Sequence, residues 1–191
     1  MSRVINVTDS VTLAPSSFDS SNSTYASEVS GYAISNGYTD SSSTSAARFN
    51  INTGNNADTY VYYNFDTSAI PANATINSVT CQAKASISST NSNRIATRQI
   101  QLCSGTTTKG SAYTLANSTS VMTITAGTWT RAELDNIKIR CYIKRGTSNT
   151  TTNYYIAFYG ATLTISYTVS GTAYTVAATA SVSGVTVSPA S

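Results

Sequence analysis

The sequence predicts an all-β protein, an antiparallel β-sandwich with one short helix. Residues 59–65 form a dense run of β-branched and aromatic residues, which favour a pleated and half-buried surface. Residues 78–87 then alternate strictly between polar and apolar side chains, and this period of two is typical of a long antiparallel strand with one wet face. Pro71 lies between the two runs and cannot donate to a strand ladder, so residues 66–74 are predicted to connect two strands.

The remaining strands are predicted from the same alternation and from the turn residues between them. They cover residues 3–13, as one edge strand or two short pieces, and residues 48–51, 95–103, 112–115, 120–125, 137–144 and 154–169. In the third of these strands, the pattern directs Ala96, Ile100 and Leu102 towards the core. The last and longest strand is apolar on both sides over residues 155–159, which predicts that both of its faces are covered there.

One helical turn is predicted near residue 130. Thr130 and Glu133 have the Thr-x-x-Glu spacing of a capping box, in which each side chain satisfies a backbone donor of the other residue. We expect Trp129 and Leu134 to hold this turn over the open end of the sandwich.

Residues 16–45 form a long segment that is rich in Ser, Asn, Gly and Asp and contains Tyr25, Tyr32 and Tyr38. We interpret it as a surface excursion with one or two short strands, because structureless segments of about 30 residues are uncommon inside compact domains. The three tyrosines are candidate contacts for a glycan or a partner protein. The alternative is that tyrosine occupies these positions as a strand former whose hydroxyl reaches water.

The chain is predicted to divide after residue 169. Residues 1–169 form the sandwich, and residues 170–191 form a C-terminal extension of small, uncharged residues with too little apolar bulk for a core of its own. The extension is either a tail that adds a strand to a neighbouring copy or the start of a truncated immunoglobulin-like repeat, which its last residues resemble.

The composition argues against several classes of function. Charged residues make up 10% of the chain, against about 25% in typical domains, and a net charge of +3 is too small for a nucleic-acid or membrane footprint. Because the sequence contains no histidine, neither a Ser-His-Asp nor a Cys-His unit can be assembled. Asp58 and Asp66 flank one strand, but no ligand spacing indicates calcium. We therefore predict that the protein is not an enzyme and binds no cofactor or metal.

Cysteine usage and the N-terminal sequence predict where the protein is found. Cys81, Cys103 and Cys141 are scattered and are predicted to be free, buried thiols, with a Cys81–Cys141 disulfide across adjacent strands as the alternative. No stretch has the pattern of a signal peptide or a membrane span. The expected location is a virion, which a protein made in the host cytoplasm reaches by assembly.

Two parts of the chain resemble known families. Residues 63–79 resemble the F-D-x-S-x-I-P-x-x-A-T-I-x-x-V signature of jelly-roll modules, found in tailed-phage virion proteins and in bacterial surface proteins similar to carbohydrate-binding modules. Residues 127–134 and 156–168 are similar, more narrowly, to phage head-fibre, decoration and minor tail proteins. The resemblance implies a β-sandwich of jelly-roll type.

The expected function is that of a non-enzymatic structural protein of a tailed-phage particle, as a capsid decoration or head-fibre subunit. Its partners would be other capsid or tail proteins and further copies of itself, with a homotrimer as the expected assembly. The first alternative is a tail-associated or cell-surface module that binds a host surface glycan. The second is a surface protein that forms filaments by donating residues 171–191 to a neighbour.

Overall fold

The computed structural model describes residues 4–20, 26–34, 39–51, 58–147 and 154–172, which form two antiparallel β-sheets and one short helix. The predicted all-β sandwich is confirmed. The elements, in chain order, are β1 (Val4–Leu13), β2 (Ser17–Asp19), β3 (Ala26–Glu28), β4 (Ala47–Ile51), β5 (Asp58–Asn64), β6 (Thr75–Ile87), β7 (Ile95–Ser104), β8 (Thr107–Thr114), β9 (Ser120–Ile124), α1 (Arg131–Leu134), β10 (Ile137–Arg145) and β11 (Tyr154–Thr172).

The strands from β4 to β11 are connected in the jelly-roll order. One sheet contains β4-β11-β6-β9 and the other β5-β10-β7-β8, and every described pair is antiparallel. A jelly roll can be described as one long hairpin of paired strands that is wrapped around a core. The pairs within the hairpin are β4–β11, β5–β10, β6–β9 and β7–β8. Wrapping it brings β6 beside β11 and β7 beside β10. Strands β3, β1 and β2 extend the sheets beside β4, β11 and β5 respectively.

The hydrophobic core lies between the two sheets and follows the alternation of the sequence. In β10, each odd-numbered residue from Ile137 to Arg145 is buried and each even-numbered one is half-buried. Phe158 of one sheet stacks on Tyr63 of the other, with ring centroids 4.1 Å apart. The Tyr63 hydroxyl donates a hydrogen bond to the carbonyl of Ile34 at 3.1 Å, so its one polar atom is satisfied inside the core.

The three cysteines are free and buried, as predicted. The alternative disulfide across adjacent strands is wrong, because both thiols are free and β6, which carries Cys81, is not a neighbour of β10, which carries Cys141. Burial raises the pKa of the Cys81 thiol to about 12, and it also raises the pKa values of Cys103 and Cys141. All three therefore act as small apolar side chains.

The capping box at the helix is confirmed. The backbone amide of Glu133 donates to Oγ1 of Thr130 at 3.3 Å, and the amide of Thr130 donates to the Glu133 carboxylate at 2.8 Å. A hydrogen bond from Lys109 and that from the Thr130 amide lower the pKa of Glu133 to about 2. Trp129 is 4% exposed and donates its indole N–H to the carbonyl of Ala126 at 2.6 Å, in agreement with its predicted role as a cover for the core.

One predicted core residue is wrong. Ala96 is exposed, and Ile95 is buried in its place. Lys144 pairs with Thr97 and Arg145 pairs with Ile95, so β7 contains one extra residue at this point. This β-bulge reverses the alternation before Thr97.

Strand β11 continues to Thr172, where it pairs with Val4 of β1. Residues 170–172, assigned above to the extension, thus form part of the longest strand. Residues 173–191 lie outside the described residues.

Candidate functional site

Of the three tyrosines predicted to contact a glycan or partner, the described residues include Tyr32. Tyr25 and Tyr38 lie outside the described residues. Tyr32 forms a bridge with Val29, and its carbonyl accepts a hydrogen bond from the backbone amide of Arg48 at 3.3 Å. This pairing holds Tyr32 beside β4, on the outer face of the six-stranded sheet.

The side chain of Arg48 lies on the same outer face, because it alternates with the fully buried Phe49. Its guanidinium carbon lies 3.9 Å from the centroid of the Tyr32 ring and 5.1 Å from that of Tyr155. Tyr155 belongs to β11, and the neighbouring Ala157 is paired with Arg48. Three segments that are distant in the sequence therefore surround one cation.

Arg48 is half-buried and has no anionic partner in the described part of the chain. There, its guanidinium makes no hydrogen bond or ion pair, and its Nε atom is buried without an acceptor. Buried polar groups are normally paired, because an unmade hydrogen bond costs free energy. The buried Nε atom is out of reach of a ligand, whereas the terminal Nη groups are not buried and have no acceptor in the described part of the chain, so they are available to a group that arrives from outside.

Two adjoining cavities lie beside Arg48 and share Arg48 and Tyr159 in their walls. Their volumes are about 320 Å³ and about 330 Å³, which is within the usual range for small-ligand sites. We call the two cavities together the Arg48 groove. Its further ring and polar side chains include Tyr32, Ser86, Ser88, Asn117, Thr119 and Tyr155.

Hydroxyls are the commonest neutral polar side-chain groups in the described lining of the Arg48 groove. Oγ1 of Thr119 lies 3.4 Å from the Tyr159 hydroxyl and 3.4 Å from Oγ of Ser86. Oγ of Ser88 accepts a hydrogen bond from the amide of Tyr155 at 2.9 Å. Since each hydroxyl has one donor and two acceptor positions, these groups keep capacity for a ligand.

The Arg48 groove carries positive charge. In addition to Arg48, Lys84 places its ammonium nitrogen 5.2 Å from the Tyr159 ring and donates to the carbonyl of Ser43 at 2.7 Å. None of the described lining residues is acidic. The groove therefore combines one cation in its wall, and a second beside Tyr159, with aromatic rings and neutral hydroxyl and amide groups.

The groove exists because the first half of β11 is only partly covered on its outer side, contrary to the prediction of full cover. Residues 39–46 pack over it near Ala161, whose amide donates to the carbonyl of Thr39 at 2.9 Å. Tyr155 and Tyr159 remain half-buried. The cavities lie over the outer face of the sheet, between residues 39–46 and the edge of the sheet.

A second arginine–tyrosine array lies on the outer face of the five-stranded sheet. The rings of Tyr60 and Tyr142 stack at 4.7 Å, and the guanidinium carbon of Arg140 lies 5.5 and 5.4 Å from their centroids. We call these three residues the Arg140 ladder. Arg140 donates to the Gln101 side chain at 2.9 Å, and the Tyr142 hydroxyl donates to Asp58 at 2.9 Å.

The Tyr142 hydroxyl is the most perturbed group of the Arg140 ladder. Burial, followed by the hydrogen bond to Asp58, raises the pKa of Tyr142 to about 12. The phenol therefore stays protonated and remains a donor over the whole neutral range. A terminal N–H group of Arg140 and the Tyr142 hydroxyl are bonded to neighbouring side chains, and Nε of Arg140 is buried without a partner.

Asp58 and Asp66 are not brought together. Asp58 begins β5, whereas Asp66 follows its end and accepts a hydrogen bond from the amide of Ser68 at 2.9 Å. Within the described ranges, no three His, Cys, Asp or Glu residues form a cluster that could hold a metal ion. In the same ranges, no helix has the length and apolar character needed to cross a membrane.

Sequence reasoning missed Arg48, Tyr155 and Tyr159. Alternation was the available signal, since Phe49 faces the core and its neighbour Arg48 must face outwards. In β11 the large rings of Tyr155 and Tyr159 also lie opposite the core-facing positions. Their convergence depends on the pairing of β4 with β11, which no local pattern specifies.

No protein-family model matches this chain, and neither a curated protein nor a solved structure matches it. The resemblances noted for residues 63–79, 127–134 and 156–168 thus remain predictions. The fold and the geometry of the Arg48 groove are the basis for assigning a function.

Proposed function

We propose that this chain is a non-enzymatic recognition protein that binds a saccharide in the Arg48 groove. The observation that carries the proposal is the convergence of Tyr32, Tyr155 and Tyr159 on two open cavities lined by hydroxyl and amide groups. A sugar ring offers an apolar C–H face that packs on an aromatic ring and hydroxyls that exchange hydrogen bonds with polar side chains. Sites of this kind are largely aromatic or apolar, with a few placed polar groups.

The side chains of the groove favour binding without catalysis. Glycoside hydrolysis ordinarily uses two carboxyl groups on either side of the scissile bond. The described lining of the groove contains no carboxyl group, and the sequence has no histidine that could act as a general base.

The setting that we propose is a tailed-phage particle, with the chain as a capsid decoration, head-fibre or tail-associated subunit. The resemblance of residues 63–79 supports it, and these residues connect β5 to β6 in the middle of the jelly roll. In a homotrimer, three grooves would bind a surface glycan together and raise the overall avidity. Analytical ultracentrifugation of the full chain should give a trimer; a monomer at every concentration would contradict this assembly.

A glycan array followed by calorimetry tests the saccharide proposal. We expect the full chain to bind a defined set of glycans and Tyr155→Ala to weaken that binding about tenfold or more, because the ring contact to the sugar is lost. Tenfold corresponds to about 1.4 kcal/mol, which is the size of one good aromatic contact.

Tyr60→Ala in the Arg140 ladder is the matched control, since it removes the same side chain from the opposite sheet. Its affinity for the glycan should equal that of the unaltered protein. Failure of every glycan to bind, or equal losses in the two variants, would contradict the proposal.

A further inference from the structure

We propose, on the basis of the saccharide binding inferred above, that the Arg48 groove selects acidic saccharides. In this assignment the guanidinium of Arg48 binds the carboxylate of a uronic acid or sialic acid unit. The neutral parts of the same sugar chain pack on the tyrosine rings and bond to the hydroxyl groups of the groove.

The first support is that Arg48 differs from the other half-buried arginines that the structure describes. Arg131 forms an ion pair with Asp135, and Arg140 donates to the side chain of Gln101 at 2.9 Å. The Nε atoms of Arg48 and Arg140 are both buried without a partner, but Arg140 has an acceptor for a terminal Nη group, whereas Arg48 has none in the described part of the chain. An unpaired guanidinium in a cavity wall indicates that its acceptor is supplied by the ligand.

The second support is the geometry of the stack. The ring of Tyr32 lies 3.9 Å from the guanidinium carbon, which is a cation–π contact. This contact uses none of the N–H groups, which form a planar fork. A carboxylate matches this planar fork with two parallel hydrogen bonds.

The third support is the charge of the surroundings. Lys84 adds a second cation next to Tyr159, and none of the described lining residues is acidic. An anion is therefore attracted to the groove and meets no competing carboxylate. A free phosphate could also pair with the guanidinium, but the rings of Tyr155 and Tyr159 favour an anion that is carried on a sugar.

Calorimetry of the full-length chain with matched pairs of probes tests this selectivity. Oligogalacturonate and a sialylated oligosaccharide are each compared with their own methyl esters, which keep the sugar and remove the charge. We expect each acid that binds to do so about tenfold or more tightly than its ester, because hydrogen bonds between charged groups are the strong ones. The difference should shrink as the salt concentration rises.

Variants of Arg48 locate the effect. Arg48→Gln should lower the ratio of the affinity for the acid to that for the ester to about one. Arg48→Lys should keep part of the preference, since it retains the charge but not the fork. Arg140→Gln, the matched control on the opposite sheet, should keep all of it.

Three results would overturn the assignment. The first is equal binding of acid and ester by the unaltered chain, which would leave saccharide binding itself in place. The second is a preference that survives Arg48→Gln, and the third is inorganic phosphate that competes as well as the acid. Binding of neither acid nor ester, together with a blank glycan array, would overturn both this inference and the proposed function.

Discussion

The two outer faces of the sandwich carry the same pair of groups in different surroundings. Arg48 lies 3.9 Å from the Tyr32 ring on one face, and Arg140 lies 5.4 Å from the Tyr142 ring on the other. Arg140 has a hydrogen-bond acceptor in Gln101. Arg48 has none in the described part of the chain and borders two cavities.

The comparison shows that a stacked arginine is not evidence of a binding site by itself. Cross-strand pairs of this kind stabilise a sheet whether or not a ligand exists. In a chain with few charged residues, they also keep the outer face of a sheet polar. What distinguishes the Arg48 groove is that unmet hydrogen-bond donors and open volume occur at the same place.

The largest effect on this comparison is expected from Gly160→Ala, which should break the groove and leave the Arg140 ladder intact. Gly160 has a φ of 152°, and an added Cβ would lie 1.8 Å from the carbonyl oxygen of Thr39. That oxygen holds residues 39–46 over β11 through the amide of Ala161. We expect a loss of about 3 kcal/mol in the free energy of unfolding, measured with urea, and a loss of saccharide binding.

Gly171→Ala is the matched control, because an added Cβ there meets no atom within 4 Å. It lies on the same strand and should leave stability and binding as they are. If Gly160→Ala unfolds and binds like the unaltered protein, the segment 39–46 does not shape the groove.

A smaller effect is expected when each of the two arginines is replaced by glutamine. Here the larger loss of stability should occur at Arg140, on the sheet opposite the groove. Arg140→Gln loses a charged hydrogen bond to Gln101 and its contacts to two rings, and should cost about 1–2 kcal/mol of unfolding free energy. Each change removes a buried Nε donor without a partner, so the two variants differ in the hydrogen bond to Gln101; Arg48→Gln loses only ring contacts and should cost about 0.5 kcal/mol or less. Urea denaturation of both variants measures the difference, and equal costs would mean that Arg48 is as structural as Arg140.

The last effect is the part of Tyr142 in the loss of stability at alkaline pH, to which the buried thiols and Tyr62 and Tyr167, whose pKa values are also raised, contribute as well. The pKa of Tyr142 is about 12 in the folded chain against an ordinary value of 10.0, so the folded state keeps its proton to higher pH than the unfolded state does. The resulting stabilisation is complete below about pH 10 and is lost between about pH 10 and about pH 12.

Tyr142→Phe removes this titration. The variant starts less stable because the bond to Asp58 is missing, but its unfolding free energy should fall less steeply over the same pH window. Identical slopes for the variant and the unaltered protein would show that Tyr142 does not account for the decline. Arg48→Gln, which leaves the ladder untouched, should keep the original slope.

Local pattern was sufficient to predict most of the strands and the helix. The alternation in β10 and the Thr130–Glu133 spacing both involve residues that are close in the sequence, and both are confirmed. Prediction failed at Ala96, where one extra residue in β7 reverses the faces. A bulge of this kind depends on the partner strand and leaves no clear signal in the strand that contains it.

The candidate site was much less predictable than the fold. Tyr32 was singled out because it is an aromatic residue in a polar segment, but Arg48 and Tyr155 were not. These three residues come together only because β4 pairs with β11 and because Tyr32 pairs with β4. Each residue taken singly has an ordinary strand environment.

The sequence by itself determined that this chain forms one-sided strands, a capped helical turn and buried thiols, because each depends on side chains a few positions apart. The tertiary structure alone decided that one outer face is self-paired and that the other contains a groove. That outcome depends on which strands become neighbours and on how far residues 39–46 extend over β11. Contacts between distant segments set both, and no period in the sequence encodes them.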